Sequence, residues 1–496
     1  MSTDTHLPAA YDETREEHDS RRVSAFADDA LGTLDATGVA EAIRSGSISA
    51  SEAVEAAIAR VAAVDPELGA TTVDDHERAR RRAEHLPTGT SAPFAGVPTA
   101  FKDNVPVAGL PMTAGSRALS PTPKTVDSAI VRQVLSTGVI PVATTTCPPF
   151  GWTATTERPG GQVTRNPWAT GYSSGGSSGG SAALVASGAL PIAHGNDGGG
   201  SIRIPAAACG LVGLKVTRGR LLGEPATDKA PVKIVVNGVL TRSVRDTATF
   251  LAAAERFQPS GKLPEVGLVE GPGARRLRIG MMVDSPLVPP TDPQTREAVE
   301  AAGRLLESLG HTVDPDLDVA VPEFFKTDFE DYWGLLALSS AMQGASIYGK
   351  GFDASQLDPF TLGLAARAKK RLYRLPLAIA RLGLTGLAAD RLFPAAADLV
   401  LTPTLAHTTP RIGYLSGDLD FETHFSRLPP YVGFTPLHNA SGQPSISLPL
   451  GRTDDGRPIG VMLSARKGQE RLLLELAFEL EAAAPFARID GAAASA

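Results

Sequence analysis

The sequence predicts an α/β fold in which helices cover a mixed β-sheet, and three stretches carry that expectation. The first runs from the strand-like "LRIGMMVD" (Leu277 to Asp284) into a helix opened by Asp292-Pro293. Proline suits the first helical position because the N–H it lacks would have no partner there. Val299, Ala302, Leu306 and Leu309 then recur on one face, Gly310 ends the helix, and "HTVDPDLD" resumes an extended pattern. The second stretch is near the C-terminus, where "SISLPL", "IGVMLS" and a helix around Leu472 to Leu480 repeat the theme. The third is an N-terminal helix. Its start, Ser49-Ala50-Ser51-Glu52, is a capping box in which a hydroxyl and a carboxylate satisfy free amides, and Val54, Ile58, Val61 and Val64 follow at helical spacing. Strand, helix and strand in alternation bury their apolar faces by stacking helices on a sheet.

With 496 residues, 42% of them hydrophobic and 20% charged, the chain has ample apolar surface for a large core. No fixed-period repeat and no long Pro/Gly-rich linker divides it, so a polar tail over residues 1–25 and one domain over 26–490 are expected. Residues 321–395 are the least regular part and mix Phe324, Phe325, Phe329, Tyr332, Trp333, Tyr348, Phe352 and Phe360 with small residues. Two readings stand for them: peripheral helices packed on the core, or a variable substrate-pocket wall. A net charge of -7 gives no electrostatic ground for nucleic acid or an anionic membrane as partner, and small or neutral substrates fit better. Cys147 and Cys209 are too few for a disulfide framework and have no zinc-type spacing, so buried thiols are expected. The polar start lacks the basic and apolar segments of a signal peptide, which makes a cytoplasmic location the default. The apolar stretch from Leu375 to Phe393 is interrupted by Arg381, Asp390 and Arg391, which fits an amphipathic helix and not a membrane span.

The chemistry-bearing sequence is rich in glycine and serine. "GYSSGGSSGG" (residues 171–180) has the composition of a flexible linker, yet it continues directly into "SAALVASGALPIAHGNDGGGSIRIPAAACGLVGLK", which has the pattern of packed structure. Inside packed structure, glycine permits positive φ and close backbone approach. In a second cluster, "DGGGSIR" (Asp197 to Arg203), successive glycine amides can converge on an anion or a developing oxyanion. A phosphate cradle would need Gly-Lys followed by Ser or Thr, and neither cluster contains lysine. Dinucleotide binding would need a ribose-binding carboxylate, and none is convincingly placed. A third element, "GVPTAFKDNV" (Gly96 to Val105), sets Lys102 among apolar and small residues. Shielded from water, its ammonium would deprotonate more easily; on its own, a Lys-Asp pair is more often a solvated or ion-paired feature.

Together these elements resemble the amidase signature family. The matching stretches are "GGSSGGSAA" (Gly175 to Ala183), "GGSIRIPA" (Gly199 to Ala206), "KDN" after "GVP", "DLVLTPT" (Asp398 to Thr404) and "NASGQPSISLPLG" (Asn439 to Gly451). The resemblance spans roughly residues 30–485, and "HGNDGGGSIRIPA" is similar to a subgroup that includes cyclic nylon-oligomer hydrolases. It implies the amidase signature fold, a large mixed twisted sheet covered by helices on both faces. It also implies a Ser-cisSer-Lys triad with Ser201 as nucleophile, Ser177 as bridging serine after a cis peptide bond, and Lys102 as base. Backbone amides of Gly198, Gly199, Gly200 and Ser201 would form the oxyanion hole, with Ser178, Asp197 and Arg203 in support. The implied activity is hydrolysis of carboxylic amides, and of esters or carbamates through the same acyl-enzyme, on a small-molecule substrate. No metal or organic cofactor is implied, nucleic acid and membrane are not expected as partners, and a homodimer is compatible. Two other roles share the fold: the A subunit of a glutamyl-tRNA amidotransferase, and a catalytically idle binding protein.

The chain departs from the family pattern where Gly195-Asn196-Asp197 replaces the frequent Gly-Thr-Asp and a further glycine stands at 198. A small residue at 198 is expected to open space beside the nucleophile. His194 and His438 are expected to be packing residues, because the lysine relay leaves no vacancy for histidine.

Overall fold

The computed structural model describes residues 20–87, 89–316 and 321–491. Most of the polar tail, residues 1–19, therefore lies outside the described residues. Residues 21–25 are tied to the body, with Val23 N–H donating to Pro167 O and Ala25 N–H to Ser187 O.

Among the described residues, thirteen strands form three sheets. β1 (Thr71–Asp74), β2 (Pro98–Lys102) and β3 (Ile140–Thr145) make a small sheet, and β4 (Arg165–Asn166) and β5 (Ala169–Ser173) a two-stranded ribbon. The remaining strands are β6 (Ile192–Asp197), β7 (Val212–Lys215), β8 (Val236–Thr241), β9 (Arg278–Met281), β10 (Thr312–Asp314), β11 (Leu399–Pro403), β12 (Ser445–Arg452) and β13 (Pro458–Ala465). They form one mixed sheet in the order β10-β9-β11-β13-β12-β7-β8-β6. β9 pairs in parallel with β10 and β11, and the other pairings are antiparallel. The two larger sheets meet where β2 lies against β6, and Thr99 Oγ1 donates to Ile192 O across the seam.

Helices cover both faces of the large sheet, as β13 demonstrates. Successive side chains of a strand point to opposite faces. A Cβ on Gly460 would sit 2.3 Å from Ala207 of the helix Arg203–Cys209, so that helix rests on one face. A Cβ on Gly451, which neighbours Ile459 on the other face, would sit 2.4 Å from Ala298 of the helix Pro293–Ser308. Ile459, Val461 and Leu463 join the main core with Val299, Leu306, Leu473 and Leu480.

The helix starts follow the expected local chemistry. Ser49 accepts the Glu52 amide while the Glu52 carboxylate accepts the Ser49 amide, and Asp292 caps the helix that begins at Pro293. Residues 321–395 carry three α-helices, Phe325–Tyr348, Pro359–Lys370 and Leu375–Leu392. Asp331 on the first pins the connection between the other two, accepting from Arg371 Nε at 2.5 Å and Arg374 Nε at 2.9 Å. No helix among the described residues is long and apolar enough to cross a membrane.

Candidate active site

Lys102 ends β2, and Asn196 and Asp197 end β6, so the seam between the sheets brings the lysine beside the second glycine cluster. The lysine is fully buried. Its Nζ donates to Ser177 Oγ at 2.7 Å and to Asn196 Oδ1 at 2.8 Å. Burial pushes its pKa down to about 8, although Cys147 and Asp197 pull the other way.

Ser177 reaches the lysine because the glycine-serine run is packed, not loose. The segment turns at Gly175, which has a φ of +74°, passes through a cis peptide bond between Gly176 and Ser177, and enters the helix Gly179–Ala186, all of it buried. A Cβ on Gly176 would lie 2.7 Å from both N and O of Thr155, so only glycine lets these two backbones touch. Ser178 is buried behind Ser177 and donates to Asn196 O at 3.4 Å.

Ser201 follows the three glycines. The turn that carries it is gathered by Asp197, whose carboxylate accepts from the amides of Gly200 at 2.8 Å and Ile202 at 3.1 Å. Arg203 grips the same carboxylate through Nε at 2.9 Å and Nη2 at 2.8 Å, and both side chains are wholly buried. Burial alone would raise the Asp197 carboxyl. The Arg203 guanidinium and the Asn439 amide outweigh it and hold the group well below the usual carboxylate range. Gly200 has a φ of +131°, and a Cβ there would sit 2.3 Å from Thr435 Oγ1, which itself donates to Gly199 O at 2.6 Å.

The expected oxyanion hole needs one correction. The amide of Gly200 is turned to Asp197, because the carboxylate must collect it to close the turn. Among the described residues, the amides of Gly198, Gly199 and Ser201 have no acceptor within the protein.

Ser177 and Ser201 share a cavity of about 890 Å³ with Gly198 and Gly199. No direct hydrogen bond joins the two hydroxyls. The cavity wall is largely apolar. Phe325, Phe329 and Trp333, four residues apart on one helix face, line it together with Phe150, Trp152 and Tyr348. The remaining aromatics do not: Tyr332 is buried with its hydroxyl on Val232, and Phe360 packs on His424. Among the aromatics of residues 321–395, then, some face the cavity and others pack in the core.

His194 and His438 are buried, and burial depresses both, His194 to about 3, so neither carries charge at neutral pH. The two thiols are buried and raised by burial, Cys147 to about 11. Neither group is set to exchange protons at the site. No group of three or more His, Cys, Asp or Glu among the described residues is arranged to hold a metal ion.

The sequence did not single out Asn104, Asn196, Thr435 and Asn439 as site residues. Asn104 and Asn439 stand inside the matched stretches "KDN" and "NASGQP", and Asn196 marked a departure from the family pattern. Thr435 lies in no motif.

A family model described as Amidase matches residues 52–474. The chain is 50% identical over 468 residues to a provisionally assigned amidase, AmiC, of Mycobacterium tuberculosis, an overlap of 94% of this chain and 98% of that one. It is 35% identical to the 6-aminohexanoate-cyclic-dimer hydrolase of Paenarthrobacter ureafaciens, covering 91% of this chain and 95% of that one. Its fold superposes on a solved 6-aminohexanoate cyclic dimer hydrolase complexed with substrate with a TM-score of 0.82 and 34% identity, over 92% and 98% of the two chains. A bacterial aryl acylamidase of the amidase signature enzymes superposes with a TM-score of 0.79 and 26% identity, over 92% and 97%. Fold and site thus define a hydrolase of carbon–nitrogen bonds. The chain belongs to the amidase signature family and hydrolyses amide bonds other than peptide bonds.

Proposed function

We propose that amide hydrolysis here runs through an acyl-enzyme on Ser201, with Lys102 as base and Ser177 as the relay between them. The observation that carries the reading is the 2.7 Å contact from a fully buried lysine to Ser177 Oγ, at the floor of the cavity that Ser201 also lines. A serine hydroxyl is a poor nucleophile at neutral pH, so it needs a base, and a neutral amine supplies one. Ser201 Oγ bonds to the substrate carbonyl carbon while its proton passes to Ser177 Oγ and the Ser177 proton passes to Lys102 Nζ. The resulting oxyanion is received by the amides of Gly198, Gly199 and Ser201, each well-aimed donor contributing about 3 kcal/mol. Ser177 then gives a proton to the substrate nitrogen, taking one back from Lys102, and the C–N bond breaks with an amine leaving. Water attacks the ester by the reverse relay. Fluorophosphonate labelling tests the reading. Modification confined to Ser201 supports it, and an unlabelled protein points to an idle binder.

The substrate we assign is a small-molecule amide with an apolar chain or ring, because Phe329, Trp333, Phe150 and Trp152 line the cavity that Ser201 also lines. Cyclic amides are included on the likeness to the cyclic-dimer hydrolase. We also propose a cytoplasmic location for a single-domain enzyme, free or paired with a second copy.

Two expected results follow. Lys102 must be neutral to act, and with its pKa near 8 only about a tenth is neutral at pH 7. The kcat/KM of the free enzyme therefore rises about tenfold between pH 7 and pH 9 and then levels off; a flat profile across that range contradicts a lysine base. Gly198 borders Val235, with 3.2 Å between that side chain and an added Cβ, so a branched residue there fills cavity space. Gly198→Ile is expected to lower kcat/KM for anilides and cyclic amides by about 100-fold or more while sparing short aliphatic amides, through a bulky side chain in a packed pocket. An equal loss for all substrates would mean damage to the amide donors instead.

A further inference from the structure

Lys102 Nζ has two hydrogen-bond partners, and only one of them, Ser177, belongs to the proposed relay. The other, Asn196 Oδ1, is buried and is itself held. Asn104 Nδ2 donates to Asn196 Oδ1 at 3.2 Å, and Asn196 Nδ2 donates to Asn104 Oδ1 at 2.9 Å. Two side-chain amides bonded reciprocally cannot flip independently, since reversing either one would set oxygen against oxygen and N–H against N–H. Flipping both together would set Asn196 N–H against the N–H groups of the protonated lysine, so the pair presents an acceptor to it.

Acceptor polarity matters because of the inventory of a neutral amine. Deprotonated lysine carries two N–H groups and one lone pair, and a base works only if the lone pair faces the proton it receives. An oxygen that takes one N–H turns the amine about its Cε–Nζ bond. With one N–H on Asn196 Oδ1, the lone pair can meet the Ser177 hydroxyl, which becomes the donor. Without that acceptor, the free amine can equally well point N–H at Ser177 and be useless as a base.

We propose that Asn196, locked by Asn104, is a positioning residue that aims the lone pair of neutral Lys102 at Ser177 Oγ. The proposal rests on the lysine-base reading above and adds to it a residue that lines the same cavity and acts through the lysine. The titratable groups facing the amine are Cys147 beyond the end of β3 and His194 and Asp197 on β6. None of them changes charge between pH 6 and 9, because burial holds Cys147 at about 11 and His194 at about 3 and the Arg203 pair keeps Asp197 ionised. Burial also raises the carboxyls of Glu157, Asp246 and Glu481 to about 7, so a limb near pH 8 is assigned to Lys102 by its movement in variants of the residue that touches the amine.

The test is the pH profile of kcat/KM for three variants. Asn196→Asp puts a carboxylate against the ammonium and is expected to move the acid limb up by about 1 pH unit or more. Asn196→Leu removes the acceptor and is expected to move the limb down while cutting kcat by about 10- to 100-fold with KM changed less than threefold, the signature of a lost transition-state interaction. Asn196→Thr, whose Oγ1 can accept from the amine, should restore most of kcat and guards against a folding failure in the leucine variant. Loss of kcat in all three with the limb unmoved would make Asn196 a packing residue and overturn the proposal. Activity surviving in Ser201→Ala or Lys102→Met would instead sink the underlying relay, so the two failures are told apart.

Discussion

Ser201→Ala is expected to lower kcat on the order of 10⁵- to 10⁶-fold, the size found when a serine enzyme loses its nucleophile. The loss falls on chemistry and not on folding. Ser201 Oγ has no hydrogen-bond partner within the protein among the described residues, and its side chain faces the cavity, so the protein loses little by its removal. The melting temperature should stay within about 2 °C of the parent, as for a substitution that breaks no buried bond. Lys102→Met alone should be of comparable severity, and the double variant should lose little beyond either single one, because nucleophile and base act as a unit. Some catalysis above the uncatalysed rate remains in both, supplied by the amides of Gly198, Gly199 and residue 201, which a side-chain change leaves in place. A Ser201→Ala enzyme retaining a tenth of parental kcat would rule out the acyl-enzyme route.

Local chemistry is what the sequence expressed most clearly. A capping box needs only Ser49 and Glu52 three residues apart, and an aspartate before a proline needs only Asp292 and Pro293, so both helix starts lie where their own side chains require. The glycine clusters were legible for a related reason. Backbones in contact leave no room for a Cβ at position 176, and at 200 the Thr435 and Ile204 side chains and a φ of +131° make the same demand. Less legible was whatever depends on which strand lies beside which. Asn104 meets Asn196 across 92 residues because β2 runs along β6, and no periodicity in either strand announces that neighbour. The amide of Gly200 was expected to face substrate with its neighbours, but the direction of a single N–H depends on a carboxylate three residues back. Aromatic composition marked residues 321–395 as a pocket wall, yet helical phase decides the matter. Phe329 and Trp333 face the cavity, while Tyr332, one position away from Trp333, is turned into the core to bond Val232.

Arg203→Leu is the substitution expected to cost most stability, about 3–5 kcal/mol, because it strands a buried carboxylate without its counter-charge. Asp197 would keep its bonds from the Gly200 and Ile202 amides and from Asn439 Nδ2, but these are dipoles, and neither it nor the arginine is exposed to water. Urea denaturation at pH 7 should show the loss as a lower midpoint with the slope preserved. The pH dependence of that loss has a definite sign. In the parent, the folded pKa of Asp197 lies below its unfolded value, so its contribution is present above pH 4 and disappears as pH falls through the folded pKa. Without Arg203, burial dominates and the folded pKa rises above the unfolded one; the folded state then binds the extra proton, and this group destabilises increasingly as pH climbs from 4. The gap between parent and variant should accordingly be smaller at pH 5 than at pH 8. Adding Asp197→Asn to Arg203→Leu should recover part of the stability, since the carboxylate that made the single variant costly is gone. A gap independent of pH, with no recovery in the double variant, would mean that Arg203 acts through packing against Ser445 and Met462 instead of through charge. The same pair shapes catalysis: Asp197 closes the turn that carries the three free amides, so variants that survive folding should still lose kcat far more than they raise KM.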